Sequence, residues 1–286
     1  MTKFTAAVVQ LRSGVSPDAN VDRLRDLVAE AAARGATYVQ TPEMTGAVQK
    51  NRAQLRAVLS EEETDLTVRV ASELAVEHGI FLHIGSTAVA LDDERIANRA
   101  FLFGPDGAII ARYDKIHMFD VDLDNGESWR ESAVYRPGDC APVVDLSFAH
   151  LGLGICYDIR FPQLYRAQAL AGADILTAPA AFTRQTGEAH WQVLQRARAI
   201  ENGAFVISAA QGGQHEDGRE TYGHSMIVDP WGRVLAEIDH DEPAVAVAEI
   251  DVAAVAAARS KIPNLKNARE FTIDHVDGVA DDRRRA

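Results

Sequence analysis

The chain has 286 residues, of which 47% are apolar and 25% charged, and its 29 basic against 42 acidic residues leave a formal net charge of −13. That apolar share supplies the core of one large or two ordinary domains and argues against a disordered chain. The acidic excess argues against nucleic acid or an anionic lipid surface as partner, because phosphate binding needs a clustered basic stripe and none appears.

In chain order, Ala6-Ala7-Val8-Val9-Gln10-Leu11 predicts a first buried strand, in an apolar run too short for a secretory signal. Val21, Leu24, Leu27, Val28 and Ala31 share one face of a helix, with Gly35 at its C-terminal cap and a strand over 36–40 stopped by Pro42. The same order of amphipathic helix, glycine and short strand returns three times. Leu66, Val70 and Leu74 precede Gly79 and a strand over 80–84; Leu164, Gln168 and Ala171 precede Gly172 and 174–177; Val193, Leu194, Ala197 and Ile200 precede Gly203 and 205–207. Hairpins are expected around Gly104-Pro105-Asp106-Gly107 and Asp229-Pro230-Trp231-Gly232, where an early proline and a late glycine favour a turn.

Each hairpin follows two helix-glycine-strand units, so the pattern predicts an internally duplicated α/β fold of two sheets with helices on their outer faces. No Pro/Ser-rich linker divides the halves, and a single domain is expected over residues 1–270, with a tail over 271–286. In that tail Arg283, Arg284 and Arg285 follow Asp281 and Asp282 and read as a solvated charge run. The apolar stretch 244–258 is broken by Glu249 and Asp251, so no membrane span is expected. Two cysteines are too few for a disulfide framework and lack metal-ligand spacing, which points to the cytoplasm.

The chemistry concentrates in Gly152-Leu153-Gly154-Ile155-Cys156-Tyr157-Asp158-Ile159-Arg160-Phe161-Pro162. An apolar strand delivers Cys156 to its carboxyl end, where α/β sheets bind ligands, and Pro162 suits the first turn of the next helix. Cys140 reads as a small packed filler, whereas Cys156 keeps charged company. A thiol nucleophile needs a base, and two kinds are available: a histidine among His117, His190 and His224, or a carboxylate, for which Glu43 in Thr41-Pro42-Glu43-Met44 is placed at a strand end. Lys115 follows the first hairpin, with Tyr113, Ile116, Met118 and Phe119 available to bury its stem and aim its ammonium at developing negative charge.

Glu43, Lys115 and Cys156, in that order and in those contexts, resemble the Glu-Lys-Cys triad of the nitrilase superfamily of carbon-nitrogen hydrolases, over roughly Phe4 to Arg269. The stretches from His190 to Asn202, from Ala209 to Gly213 and from Tyr222 to Gly232 are similar to the Nit branch, which holds omega-amidases and deaminated glutathione amidases. The resemblance implies an αββα sandwich of two mixed sheets that dimerises to αββααββα, and a fourth residue, Glu131 in Trp129-Arg130-Glu131-Ser132, that positions the lysine, substrate and water. It implies an amidase that releases ammonia from a small carboxylated amide through a cysteine thioester, with the Tyr157 backbone N–H and Lys115 holding the oxyanion and no metal or organic cofactor. Arg160 is then the candidate clamp for a substrate carboxylate, unless it pairs with Asp158, and Phe182, Thr186, His190 and Trp191 are candidate pocket residues. A carbamoylase, aliphatic amidase or nitrilase of the same superfamily is the alternative; a non-catalytic binding protein on the same fold is the outside one.

Overall fold

A computed structural model describes residues 3–91, 95–123, 126 and 128–275. The basic run Arg283–Arg285 lies outside the described residues. The first half runs β1 (Lys3–Gln10), α1 (Pro17–Ala33), β2 (Tyr38–Gln40), α2 (Arg52–Val58), α3 (Leu66–His78), β3 (Phe81–Ala90), β4 (Ile96–Phe103) and β5 (Ile109–Asp114). A small hairpin, β6 (Asp120–Asp122) with β7 (Ser128–Arg130), leads to the second half. That half runs β8 (Val143–Asp145), β9 (His150–Gly152), α4 (Pro162–Leu170), β10 (Ile175–Thr177), α5 (Arg184–Asn202) and β11 (Phe205–Ser208). A second small hairpin, β12 (Gly212–Gln214) with β13 (Glu220–Tyr222), precedes β14 (Met226–Val228), β15 (Val234–Glu237), β16 (Ala244–Asp251) and α6 (Ala253–Lys261).

The duplication is visible strand for strand. One six-stranded sheet has the order β16-β1-β2-β3-β4-β5 and the other β15-β14-β11-β10-β9-β8. In each, three parallel strands linked through helices (β1, β2, β3 and β9, β10, β11) are extended by an antiparallel hairpin (β4, β5 and β14, β15), with one further antiparallel strand beside the first. Both expected hairpins are these pairs. Gly35, Gly79, Gly172 and Gly203 all have positive φ at the helix ends, a conformation that favours glycine.

The period of two along β1 explains the layers. Ala6 and Val8 face the other sheet in a core they share with Leu151, Ile175 and Val206, while Ala7 and Val9 point outward against Leu24 and Val28 of α1 and Leu74 of α3. The layers are therefore helix, sheet, sheet, helix. Three buried glutamines stitch the sheets together. Gln10 accepts from the Ser225 N–H at 3.0 Å, Gln40 from the Ala209 N–H at 2.8 Å and Gln211 from the Ser13 N–H at 3.0 Å, so the polar groups that burial strips of water regain partners.

Two elements run beyond their expected lengths. The apolar run 80–84 continues as strand to Ala90 through Gly85, Ser86 and Thr87, where the pairing with β4 shifts register between Ile84 and Thr87. Strand β4, the first arm of the hairpin expected around Gly104–Gly107, begins as early as Ile96. Strand β16, in the stretch read only as too short and broken for a membrane span, has eight antiparallel partners on β1 far away in sequence.

Candidate active site

Four chain segments converge between the carboxyl ends of the parallel strands. Glu43 sits in the turn after β2, which is pinned on all sides: Thr41 N–H donates to the His83 carbonyl, Thr45 N–H to the Ser86 carbonyl, and Gln211 Nε2 to the Glu43 carbonyl at 3.1 Å. Gly85 makes the approach possible. A Cβ there would lie 2.2 Å from the Thr41 carbonyl oxygen and 2.4 Å from the Pro179 Cβ. Lys115 follows β5 directly, and its N–H donates to the Asn98 carbonyl of β4. Glu131 opens the short 3-10 turn after β7, which aims its carboxylate at Lys115.

Cys156 heads a short 3-10 turn between β9 and α4 and has φ of 48°, a left-handed conformation that only a tightly held non-glycine residue retains. The turn is held from three directions. Cys156 N–H donates to the Pro179 carbonyl at 2.8 Å; the fully buried Asp158 accepts from the Ile155 N–H at 2.8 Å and the Tyr113 hydroxyl at 2.7 Å; and Arg198 of α5 donates to the Ile159 carbonyl at 2.9 Å. This is the sharp strand-to-helix turn that projects a nucleophile and exposes neighbouring N–H groups.

At the centre, Lys115 Nζ lies 2.9 Å from Glu43 Oε1 and 2.9 Å from Glu131 Oε2, with Lys115 only 2% exposed. Glu43 also accepts from Asn98 Nδ2 at 2.9 Å and, through its other oxygen, from the Ala181 N–H at 2.9 Å. The Cys156 thiol lies near enough to Glu43 that each group shifts the other's protonation. Glu131 accepts from the Phe119 N–H at 2.7 Å and from Asn98 at 3.1 Å, so the Asn98 amide bridges the two carboxylates. Sequence reasoning passed over Asn98; its only signal is a neutral polar residue, next to Arg99, in a strand whose other residues are apolar.

The electrostatics assign resting charges. Burial pushes Glu43 towards its neutral form, but the Lys115 charge and the hydrogen bonds from Lys115 and Asn98, with the Cys156 thiol nearby, outweigh it and hold the carboxyl below its ordinary 4.5. Burial lowers Lys115, and the charges of Glu131 and Glu43 more than reverse this, leaving the ammonium well above its ordinary 10.5. Burial and the adjacent Glu43 charge raise the Cys156 thiol well above 9.0, with Lys115 opposing. At rest the cluster is carboxylate, ammonium and neutral thiol.

These groups open into a cavity of about 290 Å³, near the lower edge of small-molecule sites. Arg160, Phe182, Thr186 and Tyr157 line it together with the four central residues. His190 and Trp191 do not. Trp191 is buried behind Phe182, edge-on at 5.0 Å, with its Nε1–H given to the His224 carbonyl; His190 meets the Arg160 guanidinium at 3.3 Å on the outer side. Arg160 does not pair with Asp158, whose other oxygen is taken by His117 at 2.7 Å, and instead lies over the Phe182 ring at 5.3 Å. The histidine candidates are likewise engaged elsewhere: His117 is stacked on Phe161 and His224 on Tyr222, and none lines the cavity. Cys140 is exposed, not a packed filler, because it lies in the irregular stretch before β8.

An αββα sandwich with a buried carboxylate, ammonium and thiol at the ends of its strands is a fold and site of the nitrilase superfamily. The chain belongs to the carbon-nitrogen hydrolase family, whose profile matches residues 5–260, and it is an amidase of that family's kind. It is 39% identical over 273 residues to a deaminated glutathione amidase of Synechocystis, covering 93% of this chain and 98% of that one. It is 36% identical over 269 residues to the human omega-amidase NIT2, covering 94% and 96%. Among solved structures, an amidase from Nesterenkonia carrying the acetamide moiety of fluoroacetamide at its active-site cysteine superposes with a TM-score of 0.78 at 28% identity, covering 93% of this chain and 94% of that one.

Proposed function

We propose that the chain hydrolyses small carboxylated amides through a thioester on Cys156, with Glu43 as general base and acid, Lys115 as oxyanion donor and Glu131 as the group that positions Lys115. One observation carries this reading: Glu43 lies 2.9 Å from the Lys115 ammonium and lines one cavity with it and with Cys156. The thiol is neutral at rest and its base is already ionised, so proton transfer is uphill until a carbonyl is present. As the Sγ–C bond forms, Glu43 takes the thiol proton and the carbonyl oxygen gains the negative charge. Lys115 Nζ meets Glu43 Oε1 and both oxygens of Glu131, and one of the two N–H groups shared with Glu131 turns to that oxyanion. The Tyr157 N–H, which has no acceptor among the described residues, supplies a second.

Protonated Glu43 then gives its proton to the leaving nitrogen, the C–N bond breaks, and ammonia or an amine departs. Water attacks the thioester while Glu43 removes its proton; the acid leaves and the thiol is restored. Arg160, at the cavity wall without an acidic partner among the described residues, binds the carboxylate of the acyl half, with Phe182 and Thr186 beside it. The names of the two curated relatives make deaminated glutathione and omega-amides the first substrates to test. Release of ammonia or amine should be measured for these, for carbamoyl amino acids and for nitriles, with an acyl adduct sought on Cys156 by mass spectrometry. Turnover that survives in Cys156→Ala overturns the mechanism, and a preference for carbamoyl compounds or nitriles overturns the substrate class.

Residues 1–270 are proposed as the catalytic unit, working as a homodimer in the cytoplasm. Supporting the dimer, Leu170, Val193, Ile200 and Trp231 are exposed apolar residues on α4, α5 and the β14–β15 turn. Among the described residues no helix is long and apolar enough to cross a membrane.

A further inference from the structure

Asn98 touches both acids of the centre, and the mechanism gives it no task. Its Nδ2 donates to Glu43 Oε1 at 2.9 Å and to Glu131 Oε1 at 3.1 Å. The residue is 2% exposed, and its Oδ1 is buried with no hydrogen-bond partner among the described residues. An orphaned buried carbonyl is a cost, and the amide cannot turn over to remove it, because that would set Oδ1 against two carboxylate oxygens. Both N–H groups are therefore spent on the acids. The backbone is held as firmly as the side chain. The Asn98 carbonyl accepts from the Lys115 N–H at 3.0 Å, and the neighbours of these two residues, Arg99 and Asp114, face each other across β4 and β5 in a two-pronged ion pair of 2.6 and 2.9 Å, with Glu62 on the same guanidinium at 2.9 Å.

The lone pairs show what the amide changes. Glu43 Oε1 accepts from Lys115 and from Asn98, which fills it; Glu43 Oε2 accepts from the Ala181 N–H and keeps a second lone pair for the thiol proton. At Glu131 the effect is different. Oε1 is shared by Asn98 Nδ2 and Lys115 Nζ, each at 3.1 Å, while Oε2 holds Lys115 at 2.9 Å and the Phe119 N–H at 2.7 Å. When Lys115 turns its Oε1-facing N–H to the oxyanion, the amide stays behind, and no buried carboxylate oxygen is stripped of its donor. Burial works against ionisation of Glu43, and the Asn98 hydrogen bond is among the contacts that reverse it, after those of Lys115.

We propose that Asn98 is a positioning residue for amide hydrolysis: one N–H closes Glu43 Oε1, so that Oε2 exchanges the proton with Cys156 and the leaving nitrogen, and the other holds Glu131 Oε1, so that Lys115 is free to give an N–H to the oxyanion. This deepens the reading of Glu43 as base and Lys115 as oxyanion donor, and rests on it. Asn98 itself gains and loses no proton. Both effects are felt as the proton moves and the oxyanion forms, so they belong to kcat and not to substrate binding.

The test compares the full-length wild type with Asn98→Leu, which keeps the approximate volume and removes both donors, and Asn98→Asp, which keeps the shape and adds a third acid. Two rates are followed against pH: alkylation of Cys156 by iodoacetamide, which needs no substrate, and hydrolysis of an amide that the wild type accepts; thermal melting verifies folding. In Asn98→Leu the acid inflection of alkylation is expected to move to higher pH, and kcat to fall on the order of 10- to 100-fold with KM unchanged, the factor that a hydrogen bond to a charged group supplies. In Asn98→Asp the inflection should move further in the same direction. A folded Asn98→Leu with the wild-type inflection overturns the proposal, whether or not kcat falls, because a merely structural amide would leave the protonation of Glu43 alone. If Asn98→Leu does not fold, Asn98→Asp decides by the same inflection, and failure of both to fold overturns the proposal in favour of a structural role. The underlying reading fails differently: a wild-type inflection in the histidine range refutes Glu43 as base, whereas an inflection that responds to Asn98 in a protein that hydrolyses no amide refutes the amidase reading alone.

Discussion

The reacting cluster is held by a balance in which each charge suppresses a cost imposed by another. Lys115 is buried and is tolerable only because two carboxylates face it; removing it by Lys115→Ala leaves two buried anions and should cost about 3–5 kcal/mol of stability in addition to activity. Glu43→Gln preserves shape and removes the base, so kcat should fall about 10²–10⁴-fold in a steady-state assay, while a histidine-based thiol enzyme would be little affected. The pH profile separates the same alternatives. With Glu43 held below 4.5, the acid limb of kcat/KM should lie in the carboxylate range, and an inflection near 6.5 would indicate histidine instead. The linkage to stability has a definite sign. A carboxyl whose pKa is lower folded than unfolded contributes fully above 4.5 and loses that contribution as pH falls through its folded value, so the melting temperature should drop less steeply on acidification in Glu43→Gln than in the wild type.

Elements position these residues by meeting at their ends. Strand β3 is the clearest case, because Gly85 lets the Thr41–Pro42 backbone and Pro179 press against it, and those two segments carry Glu43 and the acceptor of the Cys156 N–H. Gly85→Ala should therefore cost about 1–3 kcal/mol by overpacking, seen in chemical denaturation, and lower kcat more than a stability-matched core variant does. The Cys156 turn depends on Asp158, which spends both oxygens on Ile155, Tyr113 and His117. These contacts hold Cys156 in its left-handed conformation, so Asp158→Ala should slow thiol alkylation and turnover together without altering substrate discrimination. The β6–β7 and β12–β13 hairpins, which lie outside the two main sheets, build the outer wall of the cavity instead of the core.

For the whole molecule, the outward face of α4, α5 and the β14–β15 turn exposes Leu170, Val193, Ile200 and Trp231 among polar residues, while the opposite side of α5 is packed. Ile200 and the turn at Gly232 are neighbours, and Arg196 donates to the Gly232 carbonyl at 2.8 Å, so the exposed groups belong to one rigid surface. In the proposed dimer, Val193→Asp should shift sedimentation equilibrium towards monomer at micromolar concentration, and an unchanged distribution would place the interface elsewhere. The net charge of −13 coexists with a cavity lined by Lys50, Lys115, Arg160 and Arg219. Global repulsion of polyanions and local capture of a small carboxylate are compatible because a buried cation acts at contact distance, while exposed charges are screened within about 10 Å in ordinary salt.

The periodicities of the helices, the glycines after them and the two proline-glycine turns were sufficient to specify a duplicated α/β chain, because those signals are local and act within one or two turns of backbone. Glu43, Lys115 and Cys156 were recognisable from their contexts and Glu131 from resemblance. What depended on tertiary structure was every relation between distant segments. Eight pairings with β1 make a strand of 244–251, and the meeting of β4 with the segments that follow β2 and β7 gives Asn98 its bridging place between two carboxylates. The packing of α5 turns Trp191 inward behind Phe182, and two separate hairpins bring Trp129 and Arg219 to the same corner. The composition of a segment records its own burial and turn preferences; which charge it meets is decided by the segments that fold against it.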